Sequence, residues 1–303
     1  VVAWEILGMR EGRTRMEVAA EGGLTPYVGR EPELQALLDC FDKARGGQGQ
    51  VAFIIGEPGI GKSRLLHEFH RKLSGDATWI EGQCMSFGQS MAMHPIIDMM
   101  KRTFGIEGDD NESTIADKIE LGVLKVGGHL RPIIPYLRHL LSIEPGDPAV
   151  LTMDPQQRRG ETFDALRQFF VEASTIQPLI RVHEDCHWMD KATEDYLSLM
   201  ATIVPANRIL DIFTYRTSYS HPFGNHTYHS NIRLTPLSVE DSKHMAESVL
   251  SVKSLPRDLH RLVTSRAEGN PFFLEEIIKS LREAGAIRRS GERYVLAKRM
   301  TEI

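Results

Sequence analysis

Val51-Ala-Phe-Ile-Ile55, running into Gly56-Glu-Pro-Gly-Ile-Gly61-Lys62-Ser63, decides the fold. The first five residues form a continuous apolar run closed by glycine, which predicts a strand buried on both faces. The next eight fit G-x-x-x-x-G-K-[ST], and Ser63 to Leu73 reads as the helix that follows. A glycine-rich turn in that setting aims backbone N–H groups, with the positive end of the helix dipole, at phosphate oxygens. Lys62 then places an ammonium on the outer phosphates, and the Ser63 hydroxyl suits the octahedral shell of magnesium. Gly56, Glu57, Pro58, Gly59, Ile60, Gly61, Lys62, Ser63 and the adjoining Arg64 are the candidate residues for binding ATP or ADP with Mg2+.

Outward from this segment, strands and helices alternate. Upstream, residues 1–23 mix charge and apolar residues without a period and read as a linker. Leu34, Leu37, Leu38 and Phe41 then form one stripe at helical spacing, stopped by Gly46, Gly47 and Gly49. Downstream, strands are expected at Ala77–Cys84, Leu179–His183 and Arg208–Thr214. Helices are expected over most of 91–155, around Phe163–Phe170, and from Asp190, which caps its helix. After Pro222 the texture becomes helical: Ser238 to about Val249, a helix opened by Pro256, and one from Asn270-Pro271 to Ala284. A short hairpin follows Ser290-Gly291. The pattern predicts an α/β fold: a P-loop NTPase parallel sheet with flanking helices over 24–220, then a helical lid over 221–284 and the start of a winged-helix segment over 285–303.

A phosphate loop needs an acidic group at a neighbouring strand end to hold magnesium and orient water. Glu184-Asp185, after the Leu179–His183 strand, has that placement. Glu184 is expected to join Ser63 as a magnesium ligand and Asp185 to handle the attacking water, although the two could exchange roles. Arg181 and His183 interrupt a strand that should be apolar. His187 has no partner at metal-ligand spacing and reads as structural. Arg216, just past the next strand, can touch a γ-phosphate or be a surface arginine; spacing alone leaves both open.

The chain has 303 residues, 41% hydrophobic, with a formal net charge of −5. That charge gives no overall attraction to nucleic acid or to an anionic membrane, and no apolar run is long enough to span a bilayer. Arg288, Arg289, Arg293, Lys298 and Arg299 make the C-terminus mildly basic, which reads as a solvated hairpin face. Cys40, Cys84 and Cys186 are far apart in sequence and match no disulfide or zinc framework, which favours a reducing cytoplasm. Residue 1 is Val rather than Met, so the chain is expected to be a piece of a longer or processed protein.

Leu24-Thr-Pro-Tyr-Val-Gly-Arg-Glu31, the phosphate loop, Glu81-Gly-Gln-Cys84, Glu184-Asp-Cys-His-Trp188, Thr214-Tyr-Arg216 and Gly269-Asn-Pro-Phe-Phe-Leu-Glu-Glu276 occur in this order. Together they resemble the AAA-type, signal-transducing (STAND) ATPase modules of large bacterial regulators. The nearest variety follows a class III adenylate or guanylate cyclase domain and precedes tetratricopeptide-like repeats. The resemblance implies those two kinds of domain as neighbours, and a protein partner or self-association. It implies that Val28, Gly29 and Arg30 lie along adenine and ribose, that Pro271 covers the base from the lid, and that Arg216 senses the γ-phosphate. It also implies a sheet in which the sensor strand separates the acidic strand from the phosphate-loop strand. Arg181, His183, Cys186 and Asp211 depart from the family pattern, as does Glu at the first acidic position. Three functions follow: a slowly hydrolysing ATP switch, a nucleotide-loaded scaffold that never turns over, and a DNA-loading ATPase of the origin-recognition kind. The residues before Leu24 are too few for a cyclase fold, so no cyclase activity is expected of this chain.

Overall fold

The computed structural model describes residues 23–73, 75–86, 91–290 and 293–296. The linker expected over 1–23 lies almost wholly outside them, as do Lys298 and Arg299. The described chain runs α1 (Glu31–Arg45), β1 (Gln50–Ile55), α2 (Lys62–Lys72), β2 (Thr78–Gln83), α3 (His94–Phe104), α4 (Glu112–Val126), α5 (Ile134–Leu140), α6 (Pro148–Thr152) and α7 (Pro155–Ile176). It continues through β3 (Leu179–Glu184), α8 (Lys191–Ile203), β4 (Ile209–Tyr215), β5 (His229–Arg233), α9 (Val239–Leu250), α10 (Arg257–Ala267), α11 (Pro271–Glu283), β6 (Ile287–Ser290) and β7 (Arg293–Leu296).

β1 to β5 form a parallel sheet in the order β2-β3-β4-β1-β5, with β4 between the acidic strand and the phosphate-loop strand. Every residue of β1 and β4 is buried, as expected for strands covered on both faces. β5 corrects the boundary expected after residue 220. Within 221–284, residues 229–233 supply a sheet strand: Val51 donates its N–H to Tyr228 O, and Leu234 N–H bonds Ile55 O. The short, half-polar sequence His229-Ser-Asn-Ile-Arg233 lacks the apolar run of a central strand because it is an edge.

The polar residues that interrupt β3 and β4 face each other. Arg181 is the register partner of Asp211, and both side chains are buried. Arg181 Nε and Nη2 donate to Asp211 Oδ1 and Oδ2 at 2.7 and 2.6 Å, a two-pronged charge-assisted pair. The Phe170 ring lies 5.0 Å from the guanidinium carbon. Two positions along, His183 stacks on its register partner Phe213 at 4.8 Å.

The chain divides into two compact units. One contains Asp39–Phe53 and Leu73–Asn231, hence most of the sheet and helices α3–α8. The other contains 23–38, Ile54–Lys72 and 232–296, hence the phosphate loop, α2 and the C-terminal helices. The core of its C-terminal part is built from Leu237, Met245, Leu250, Leu259, Leu262, Val263, Leu274, Ile278 and Leu281 on the inward stripes of α9–α11. Ile287 and Tyr294 of the β6–β7 hairpin join this core, so the hairpin packs with the helices. Residues 297–303, which would carry a winged helix further, lie outside the described residues.

Candidate nucleotide site

α9 and α11 begin as their sequences direct. Ser238 Oγ accepts from Asp241 N–H at 3.0 Å, and Asn270 Oδ1 accepts from Phe272 N–H at 3.1 Å with Pro271 at the first helical position. These starts bring the second unit's candidate residues together. Gly29 adopts φ +68°, which favours glycine, and a Cβ there would lie 2.6 Å from the Asp241 carboxyl carbon, so a side chain would have to displace that carboxylate at the start of α9. Arg30 is buried: Nη1 pairs with Glu33 at 3.1 Å and Nη2 donates to Thr235 O. Its guanidinium thus fastens the Val28-Gly29-Arg30 segment to the chain leading into α9.

The phosphate loop itself is held by its carbonyls. Lys62 Nζ donates to Gly56 O at 2.8 Å and Glu57 O at 3.2 Å. Asn270 Nδ2 donates to Pro58 O at 2.9 Å, and Phe272 N–H, shared with Asn270 Oδ1, reaches Gly59 O at 3.3 Å. Four consecutive carbonyls, which would repel phosphate, are therefore occupied by protein donors. Gly59 has φ +77°, and a Cβ there would stand 2.8 Å from Asn270 Oδ1 and 2.9 Å from Phe272 Cβ. A Cβ on Gly61 (φ +103°) would project into open space. Carbonyls tied back, an ammonium at the loop and a helix starting at Lys62 form a donor set suited to a polyphosphate. Pro271, half-buried, follows the residue that clasps the loop.

Arg64 lies just past the loop. Nε and Nη2 bond Glu68 Oε1 at 3.1 and 2.9 Å, and Nη2 also donates to Thr25 O at 2.7 Å. Thr25 Oγ1 in turn donates to Glu275 Oε1 of α11 at 2.6 Å. A cavity of about 430 Å3 adjoins them, lined by residues that include Tyr27, Arg64, His67 and Arg71. No residue of 56–63 lines it, so it is separate from the phosphate loop.

The acidic and sensor residues lie in the first unit. Glu184 ends β3, half-buried, and Asp185 takes a left-handed turn at φ +56° that opens a short helical turn over Cys186–Trp188. Thr214 Oγ1 accepts from Asp185 N–H at 3.0 Å, and Gln83 Nε2 reaches Asp185 Oδ2 at 3.4 Å. The Arg216 guanidinium lies over Trp188, 5.8 Å from the ring centre. Asp190 caps α8 through Thr193 N–H and also accepts from Met93 N–H. His183 is buried, and desolvation, then Arg181, hold its pKa well below 6.5. Cys84 and Cys186, far apart in sequence, meet at the ends of β2 and β3, where Cys84 N–H donates to Glu184 O. Burial pushes the Cys186 thiol up, which leaves it unreactive. Among the described residues no group of His, Cys, Asp or Glu is arranged to hold a metal on its own, and no helix is long and apolar enough to cross a membrane.

Sheet order and loop together define a P-loop NTPase fold. Residues 26–212 match the family model described as AAA ATPase domain, and the chain belongs to that family. Membership implies nucleotide binding. Residues 238–290 match a domain of unknown function, DUF8739. A relative from Rhizobium meliloti (strain 1021), the uncharacterized protein R02095, is 26% identical over 285 residues; the match covers 90% of this chain and 27% of that protein. The chain thus spans about a quarter of that relative's length. Cdc6p from Pyrobaculum aerophilum is similar in structure (TM-score 0.52, 14% identity, 87% of this chain and 65% of that one). The Walker-type ATPase PABY2304 of Pyrococcus abyssi also matches (TM-score 0.50, 14% identity, 92% and 71%). At these identities the likeness is one of fold.

Proposed function

We propose that this chain is an ATP-dependent switch module of a larger signalling protein, binding Mg-ATP at Gly56–Ser63 and turning it over slowly. The observation that carries this reading is the phosphate loop with its carbonyls from Gly56 to Gly59 tied back and Lys62 at its end. In this reading the Lys62 ammonium, with three N–H donors, keeps hold of the loop carbonyls and adds a charge-assisted contact to phosphate. Ser63 and Glu184 hold magnesium, which supplies charge neutralisation at the phosphates. Asp185 orients water, and Arg216 reports the γ-phosphate; Glu184 and Asp185 could exchange roles. Val28, Gly29 and Arg30 border adenine and ribose, Pro271 covers the base, and Arg64 adjoins the phosphate loop.

The Arg181–Asp211 pair supports turnover over a silent scaffold. Residues that look like erosion of the acidic strand compensate each other and keep β3 and β4 in register. An upstream cyclase-like domain, downstream tetratricopeptide-like repeats, a protein partner or self-association, and a cytoplasmic setting belong to this proposal through the family resemblance. The length of the Rhizobium relative is consistent with further domains.

Calorimetry with Mg-ATP tests the site. Lys62→Ala removes a charge-assisted contact and should weaken binding about ten- to a hundredfold. Glu184→Gln and Asp185→Asn should suppress phosphate release while leaving nucleotide affinity within a few fold. Unchanged affinity in Lys62→Ala removes the loop assignment; turnover equal to the parent's in both acidic variants removes the catalytic one.

A further inference from the structure

We infer that Asn270 is a positioning residue for the phosphate loop, coupling the C-terminal helices to nucleotide binding through the loop backbone. The inference rests on the phosphate-loop reading above and adds a residue outside the loop to it. Asn270 has two jobs at its two side-chain atoms. Oδ1 accepts Phe272 N–H and caps α11, while Nδ2 donates to Pro58 O at 2.9 Å. The same turn presents Phe272 N–H to Gly59 O. The neighbouring links of the turn are fixed as well: Asn270 N–H bonds Ala267 O and Leu237 N–H bonds Gly269 O, both at 2.8 Å. Gly269 has φ +74°, and a Cβ there would stand 2.6 Å from Leu237 O. The clasp is therefore built on the helical core and reaches out to the most exposed part of the loop, Glu57-Pro58-Gly59.

A capping residue needs only an acceptor, so serine or aspartate would satisfy α11 as well as asparagine does. Asparagine alone of these also offers an N–H donor at that length. Without it Pro58 O loses its partner, and the arch can rotate its peptide planes away from the arrangement that keeps carbonyls off the phosphates. Binding then has to restore that order.

The test uses Asn270→Ser, which keeps an uncharged cap, and Asn270→Asp, which keeps the cap and turns the donor into an acceptor. Amide hydrogen exchange of the peptide spanning residues 57–63 is measured in nucleotide-free protein, and Mg-ADP affinity by calorimetry. Both variants should keep the parent's melting temperature and the exchange of α10. Both should exchange the loop faster and bind Mg-ADP about three- to tenfold more weakly, Asn270→Asp more so. Loop exchange equal to the parent's in both variants overturns the inference, as does faster exchange with unchanged affinity. If the parent itself binds no nucleotide, the function proposed above fails, and loop exchange in the free protein still decides whether Asn270 orders the loop.

Discussion

Arg181 and Asp211 offer the sharpest test of how this sheet tolerates charge in its interior. Both are essentially without solvent exposure (0% and 1%), and two short hydrogen bonds join them across adjacent strands. Arg181→Met alone leaves Asp211 a buried carboxylate with its countercharge removed; Asp211→Leu alone leaves a guanidinium in the same state. Breaking a buried pair from one side costs about 3–5 kcal/mol, because the surviving charge has been desolvated and nothing repays it. For a unit of this size that corresponds to a fall in melting temperature on the order of 10 °C. Replacing both residues, as Arg181→Met with Asp211→Leu, removes the desolvation penalty together with the attraction. Phe170, 5.0 Å from the guanidinium, gives this region an aromatic wall for the new side chains, while buried Tyr196, whose hydroxyl interacts with Arg181, loses a partner. The double variant should therefore lie within about 1–2 kcal/mol of the parent, a coupling of several kcal/mol in the cycle. Urea titration followed by tryptophan fluorescence, with calorimetry for the melting temperatures, measures all four proteins. Single variants each costing under about 1 kcal/mol would refute the reasoning, since the charges would then have found water or another partner. A double variant as damaged as the singles would equally refute it.

The aromatic and histidine cluster around Phe53 predicts a pH dependence. Burial, then His226 and His221, push His229 down to about 4 from 6.5, and burial lowers His221 as well. A histidine held neutral in the fold but free to charge when unfolded contributes stability above about pH 6.5 and loses it as pH falls towards 4. Urea midpoints should fall over that window, and His229→Phe should flatten the slope; an unchanged slope would count against the cluster. At Gly59, an alanine meets both a positive φ and the Asn270 and Phe272 atoms under 3 Å away. Gly59→Ala should therefore weaken Mg-ADP binding at least tenfold by calorimetry, and parent-like affinity would show that the clasp yields freely.

Much of the architecture was legible because strong local patterns carry it. A five-residue apolar run, a glycine turn and a lysine-serine helix start leave little choice at Gln50–Lys72. The helix starts at Asp190, Ser238 and Asn270 were readable because a cap is a side chain bonding two or three residues ahead. What escaped is what depends on contacts far apart in sequence. β5 was missed because an edge strand needs neither apolar alternation nor length. Arg181, His183 and Asp211 looked like separate defects, since no local rule says that positions thirty residues apart share a register. Cys84 and Cys186 seemed unrelated for the same reason.

The clasp at Asn270 shows why such distant contacts bear on function. Pro58 O belongs to the same peptide group as the Gly59 N–H, so a donor on the carbonyl polarises the amide on its other side. Any anion bound to that amide would in turn strengthen the carbonyl as an acceptor for Asn270. Coupling of this kind is reciprocal: if Asn270 raises nucleotide affinity by some factor, nucleotide must tighten the clasp by the same factor. A moderate hydrogen bond limits that factor to about tenfold, too little to throw a two-state equilibrium from one side to the other alone. A switch built on this loop would therefore need the clasp to act with a second contact that distinguishes ATP from ADP, the role proposed for Arg216. Loss of either contact should then leave binding in place and blunt the difference between the two nucleotides.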